Sequence, residues 1–223
     1  MVRIIFYAPY PQIVPSIEQV LKERPDQDEI TCSIVQDFYN NPLYDLNADV
    51  VIARGFSALT MKQRGCLCAE LKVGGYDVIA AVLIARKQNR DISHIAITGA
   101  FNMIYGVETI QDAFPDIRLS SYPVTSELLL DETIQKAIAD GCEMLVGNYT
   151  AVEFAKKYNL PAVMIESGRE AINNAISEAK SAAEIDLKEK MRSAQIANIM
   201  NYSFQGIIST DPDGSIRAPL HSG

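Results

Sequence analysis

The chain has 223 residues, 48% hydrophobic and 22% charged, without tryptophan, enough to bury one large core or two of about 100 residues each. Its formal net charge of −8 argues against nucleic-acid binding by these residues, since domains that grip phosphate backbones are usually basic. No apolar run approaches the roughly 18 residues of a membrane span, and Val2-Arg3-Ile4-Ile5-Phe6 reads as a strand, not a signal peptide.

In chain order, Val2 to Ala8 reads as the first strand, stopped by Pro9 and Pro11. A helix is expected from Ile13 to Glu23, with Val14, Ile17, Val20 and Leu21 on one face. Strands follow at Ile30 to Val35 and at Val50 to Ala53, then a short helix from Ser57 to Arg64 and a strand from Leu67 to Val73. Gly74-Gly75 releases the chain into a helix from Asp77 to Gln88. The second half reads as a strand at Ile92 to Thr98, a helix at Met103 to Phe114 and a strand at Ile117 to Tyr122. A helix capped by Thr125 or Ser126 then runs to Ala139, before a strand at Glu143 to Val146 and a helix at Thr150 to Tyr158. A last strand at Ala162 to Ile165 leads to a long helix starting at Ser167 or Gly168, where Ser167 and Glu170 have capping-box spacing. Largely apolar strands separated by helices imply parallel pairing with helices on both faces.

The second half echoes the first. Shifted by 93 positions, Val51-Ile52-Ala53-Arg54-Gly55-Phe56-Ser57-Ala58 falls on Met144-Leu145-Val146-Gly147-Asn148-Tyr149-Thr150-Ala151, and Leu67, Ala69 and Gly75 meet identical residues at 160, 162 and 168. Such a repeat reads as two similar α/β lobes. The helices after Gly75 and Gly168 would then cross between the lobes and form a hinge over a shared cleft. The boundaries expected are 1–76 for lobe one, 77–167 for lobe two, with 168–184 packing back on lobe one and 185–200 as a helical linker.

The strand ends supply the candidate site. Arg54 brings a planar donor fork, and Gly55, Phe56 and Ser57 open a helix whose free N–H groups and dipole suit a carboxylate or phosphate. Gly147, Asn148, Tyr149 and Thr150 are the symmetry-related set, although Gly147-Asn148 could equally supply a turn with positive φ. Tyr76 and Asp77 open the crossover helix, with Asp77 capping it or touching ligand. Asn102, Ile104 and Tyr105 follow lobe two's first strand, and either read a polar ligand or merely start a helix. Ser167 and Gly168 offer a hydroxyl and a backbone N–H from lobe two's last strand.

Other chemistries fit less well. Cys32, Cys66, Cys68 and Cys142 lack CxxC spacing, and with only two histidines, His94 and His221, no metal site is expected. The cysteines read as buried thiols of a reducing, cytoplasmic protein. None lies at the carboxyl end of a predicted strand, and no histidine is placed to activate one, which weighs against a racemase- or isomerase-like enzyme acting on a small carboxylate. GxSxG and P-loop motifs are absent. A phosphoacceptor receiver would need acidic residues where Ala8-Pro9-Tyr10 and Arg54-Gly55 stand.

Val51-Ile52-Ala53-Arg54-Gly55, Gly75-Tyr76-Asp77-Val78, Asn102-Met103-Ile104-Tyr105-Gly106, Val146-Gly147 and Ile165-Glu166-Ser167-Gly168, in this order, resemble the N-terminal sensor domain of propionate-catabolism activators. These are sigma-54-dependent transcription regulators, and the resemblance covers residues 3 to 184. Residues Asn201 to Gly214 are similar to the start of a PAS domain, so 201–223 reads as an incomplete PAS-like beginning with a foreign tail. The resemblance implies two chelatase-like, periplasmic-binding-protein-like α/β/α lobes and a small organic-acid effector in the cleft. It implies a non-catalytic module without cofactor, with ATP, DNA and sigma-54 polymerase contacted by domains outside this chain, a place in a phosphorelay-type signalling class, and a homodimer. A methylcitrate-type tricarboxylate is the effector of the best-known members. Here Arg54 and Arg169 face Asp77, Glu166 and Glu170, so a smaller or less charged metabolite suits the cleft at least as well.

Overall fold

A computed structural model of the protein describes residues 1–36, 47–104, 107–202 and 213. The apolar runs become two parallel four-stranded sheets with flanking helices. The first holds β1 (Val2–Tyr7), β2 (Ile30–Val35), β3 (Val50–Ala53) and β4 (Cys68–Glu70) in the order β2-β1-β3-β4. The second holds β5 (His94–Ala100), β6 (Arg118–Val124), β7 (Met144–Gly147) and β8 (Ala162–Met164) in the order β6-β5-β7-β8. The inner strands β3, β5 and β7 are buried along their whole length, as strands covered on both faces must be. Pro123, which cannot donate to a ladder, sits on the edge strand β6.

The helices are α1 (Val14–Glu23), α2 (Gly55–Gln63), α3 (Gly75–Gln88), α4 (Leu130–Ala139), α5 (Tyr149–Lys157) and α6 (Arg169–Tyr202). Alpha-helix α3 follows the first sheet in sequence but packs Val78, Ala81, Val82 and Ala85 into the core of the second, with Ile95, Ile97, Leu145 and Val146. The start of α6 returns to the first half. There Arg24 donates to the Asn173 Oδ1 at 2.7 Å and the Ser177 Oγ at 3.0 Å, while Lys180 bridges Asp26 at 3.0 Å. Ile172, Ala175, Ile176 and Ala179 are buried beneath these polar ties. The contacts divide the chain into one compact unit at 1–182 and a second at 183–223. In the second, Ile185, Leu187, Met191 and Ile196 are exposed on α6, and Lys190 pairs with Asp186 at 2.7 Å. No helix among the described residues is long and apolar enough to cross a membrane.

The duplication is real in the fold, but the offset is 94 and not 93. Val50 and Met144, Gly55 and Tyr149, Cys68 and Ala162, and Gly75 and Arg169 open equivalent elements. Strand register agrees, since Val51 pairs with Cys68 as Leu145 pairs with Ala162. The identities at 160, 162 and 168 therefore lie one residue out of step with the structure. Helix starts differ accordingly. Arg54 and Asn148 are the N-caps of α2 and α5, so neither Ser57 nor Thr150 holds that place. The helix expected from Met103 to Phe114 is a 3₁₀ segment, Val107–Ala113, preceded by a turn in which the Met103 N–H donates to the Ala100 carbonyl at 2.8 Å. The fourth strand is cut to Cys68–Glu70. The PAS-like stretch lies outside the described residues, apart from Asn201 and Tyr202 at the end of α6 and Asp213.

Candidate functional site

Each sheet changes direction between its first and third strands, and at such switch points the carboxyl ends of parallel strands leave a crevice. In the first sheet the segments leaving that point are Ala8 to Pro11 after β1 and Arg54 to Ser57 after β3. In the second they are Phe101 to Met103 after β5 and Asn148 to Thr150 after β7. A cavity of about 520 Å³ lies there, lined from the first half by Tyr7, Ala8, Pro9, Tyr10, Pro11, Gln36, Arg54, Gly55, Phe56 and Ser57. Met103, Glu127, Asn148, Tyr149 and Thr150 line it from the second. The size is that of a site for one small organic molecule.

The two helix starts are built differently. Asn148 caps its own helix, its Oδ1 accepting from the Ala151 N–H at 2.8 Å. The Arg54 side chain makes no capping hydrogen bond and reaches across the cleft instead. Its Nη1 donates to the Ser167 Oγ at 3.1 Å and its Nη2 to the Ile165 carbonyl at 2.9 Å. The residue is 6% exposed, and its Nε has no hydrogen-bond partner among the described residues. The Tyr10 ring lies beside the guanidinium, 5.9 Å from centroid to Cζ. Burial pulls the Arg54 pKa below its ordinary value, against the opposing pull of Tyr10 and Asp77. The Tyr10 hydroxyl accepts the Ser167 N–H at 2.7 Å, and burial raises the phenol's pKa.

Gly55 has a φ of +55°, and a Cβ there would fall 2.7 Å from the Met103 Sδ, so glycine answers both the backbone and the close approach of the second half. Gly147 has no positive φ, nor has Asn148. A Cβ on Gly147 would stand 2.8 Å from the Thr98 carbonyl oxygen, which makes it a packing glycine rather than a turn glycine.

Of the residues singled out in the sequence, Arg54, Gly55, Phe56, Ser57, Asn148, Tyr149 and Thr150 come together around the cavity. Gly147 lies behind it at the end of β7. Asp77 accepts the N–H of Gly74, the N-cap of α3, at 2.8 Å, and its other oxygen accepts the Gly168 N–H at 3.2 Å. Tyr76 is 88% exposed and lines no part of the cavity. Asn102 donates to the Glu70 carboxylate, and Ile104 is packed in the core of the second sheet. Ser167 and Gly168 do not line the cavity but hydrogen-bond to Arg54, Tyr10 and Asp77, and Tyr105 lies outside the described residues. Tyr7 to Pro11, Gln36, Met103 and Glu127 line the cavity without having been expected there. The first group was legible in principle, because it follows the first strand at the switch point.

One expectation about cysteine chemistry is overturned. His94 does lie near a thiol: its Nε2 is 3.4 Å from the Cys142 Sγ, and the Tyr122 hydroxyl is 3.6 Å away. The pair sits at the amino ends of β5 and β7, the edge opposite the cavity. Burial raises the Cys142 pKa there, which keeps the thiol protonated. Burial likewise pushes Cys32 up to about 12 and Cys68 up to about 11.

Two parallel α/β sheets with crossing helices and a shared crevice define the class of two-lobed α/β folds. Within that class, residues 40–189 match the family described as "Propionate catabolism activator", and the chain belongs to that family. No curated protein matches it. Among solved structures, an NtrC family transcriptional regulator from Clostridium acetobutylicum superposes with a TM-score of 0.69 at 19% identity, over 83% of this chain and 98% of that one. Looser likenesses include an ABC domain in complex with L-Trp from Streptococcus pneumonia, with TM-score 0.45 and 7% identity over 82% of this chain and 85% of that one. A LacI family transcriptional regulator from Arthrobacter sp. FB24 in complex with lactose gives 0.38 and 9% over 82% and 90%. By its family the chain is a sensing domain of the transcription-regulator type, and the solved structures add the fold alone.

Proposed function

We propose that the domain binds a small organic acid in the cleft between its two sheets, without catalysis, and passes the bound state along α6. The output would be an ATPase and DNA-binding apparatus of the sigma-54-dependent type, in a cytoplasmic homodimer. The observation that carries this reading is Arg54: a buried cation at a helix start, lining the cavity. A carboxylate there would meet the guanidinium's charge together with the first-turn N–H groups of α2, which no intrahelical carbonyl can reach. Ser57 and Thr150 add hydroxyls from the two sides, and no histidine lines the cavity among the described residues to turn either into a nucleophile.

The test is a thermal-shift screen of organic acids on the full chain, repeated on Ser57→Ala and Thr150→Val. A ligand at a hundredfold over its dissociation constant adds about 2.7 kcal/mol to the folded state, and the variants should lose most of that shift. Turnover of any compound in the screen would favour an enzyme and end the proposal.

A further inference from the structure

The walls of the cavity define which acids it can accept. Its charged lining residues, among those described, are one arginine and one glutamate, Arg54 and Glu127. Two of the five Arg54 N–H groups already serve Ser167 and Ile165, so the one cation is partly engaged before any ligand enters. A trianion brought into such a place would leave two or more carboxylates desolvated without a counter-charge, beside Glu127, and that cost is prohibitive. Beside the uncharged polar residues Gln36, Ser57, Asn148 and Thr150, the wall is aromatic and apolar: Tyr7, Tyr10, Phe56, Met103 and Tyr149, with prolines at 9 and 11. Flat rings stack on such walls at little entropic cost.

We infer that the cleft takes a monocarboxylic acid carried on an aromatic ring, with the carboxylate at the Arg54 guanidinium and the α2 start and the ring between Tyr10 and Tyr149. This rests on the cleft being the effector site, and the experiment separates the two claims. The full chain is titrated with phenylacetate, indole-3-acetate, phenylacetamide and citrate, reading Tm and dissociation constants. Tyr149→Ala, whose ring is 41% exposed and outside the core, and Glu127→Gln are measured beside it.

Phenylacetate or indole-3-acetate should raise Tm saturably, phenylacetamide should bind at least about tenfold more weakly, and citrate should leave Tm unchanged. Tyr149→Ala should weaken the ring acids about tenfold, while Glu127→Gln should leave them unchanged or tighter, because it removes a like charge. Weaker acid binding by Glu127→Gln, or failure of both ring acids to bind at millimolar concentration, overturns the inference. Citrate binding that Ser57→Ala abolishes overturns the ligand class while the sensor reading stands. Ring acids that bind Tyr149→Ala as well as the wild type place the ligand elsewhere and overturn both.

Discussion

Arg54 joins the end of β3 to the strand-to-helix segment after β8, and a shorter side chain cannot span that gap. Arg54→Ala leaves the Ile165 carbonyl and the Ser167 hydroxyl buried with a charged donor removed from each, at a cost of about 3 kcal/mol. For a unit of this size that is a fall in Tm of roughly 6–12 °C, readable in a thermal melt. Arg54→Lys should recover less than half of it, since one ammonium replaces a planar fork. Glycines offer a contrast at the same scale. Gly147→Ala drives a methyl against the backbone oxygen of Thr98 and should cost more than about 2 kcal/mol, whereas Gly75→Ala has open space within 4 Å and an ordinary φ, and should be neutral or slightly stabilising in urea unfolding. The sequence marks Arg54 as a cation at a strand end. It could not show that the guanidinium crosses the cleft, because both acceptors lie 111 and 113 residues away and only the folded pairing of halves brings them near.

Among the elements, the strands were legible because buried parallel strands are continuous apolar runs, which Val50–Ala53 and Met144–Gly147 are. Their ends were less so. Ser and Thr compete with Asn for the cap of a helix, and the fold resolves this in favour of Asn148 at α5. On that reading Asn148→Ala should lose about 1 kcal/mol, while Thr150→Ala should cost no more than a few tenths, measured by chemical unfolding. Met103, Ile104, Ile110 and Phe114 have helical spacing, yet Gly106 interrupts them, and the demands of the core turn the segment into 3₁₀. The tie between α1 and α6 has a pH signature. Asp26, hydrogen-bonded by Arg24 and Lys180, has its pKa lowered from 3.8 to about 2. A depressed carboxylate stabilises the fold above its unfolded pKa and ceases to do so as pH falls through the folded one. The stability gap between wild type and Asp26→Asn should therefore be full at pH 6 and close between about pH 4 and pH 2, followed by urea midpoints.

At the scale of the whole molecule, the twofold repeat was visible in pattern but misplaced by one residue, because chance identities outweighed structural equivalence in so diverged a pair. Which faces meet was inaccessible from pattern alone, and so the cavity's first wall, from Tyr7 to Pro11, went unread. Since residues 1–182 hold both sheets and form a compact unit, a chain ending at Ala182 should fold by itself. Its circular dichroism should be that of an α/β protein, and its cooperative melt should fall within about 5 °C of the full chain's.

The segment that precedes α6 has a consequence for signalling. Ser167 is grasped by Arg54 and by Tyr10, and Gly168 by Asp77, so the root of the longest helix is fastened by two cavity-wall side chains and by the cap of α3. A guest that recruits the guanidinium or the phenol must bargain with those fastenings. Amide exchange at Ser167 and Gly168 should then change on loading in step with occupancy, making the helix root itself the gauge of what the cleft contains.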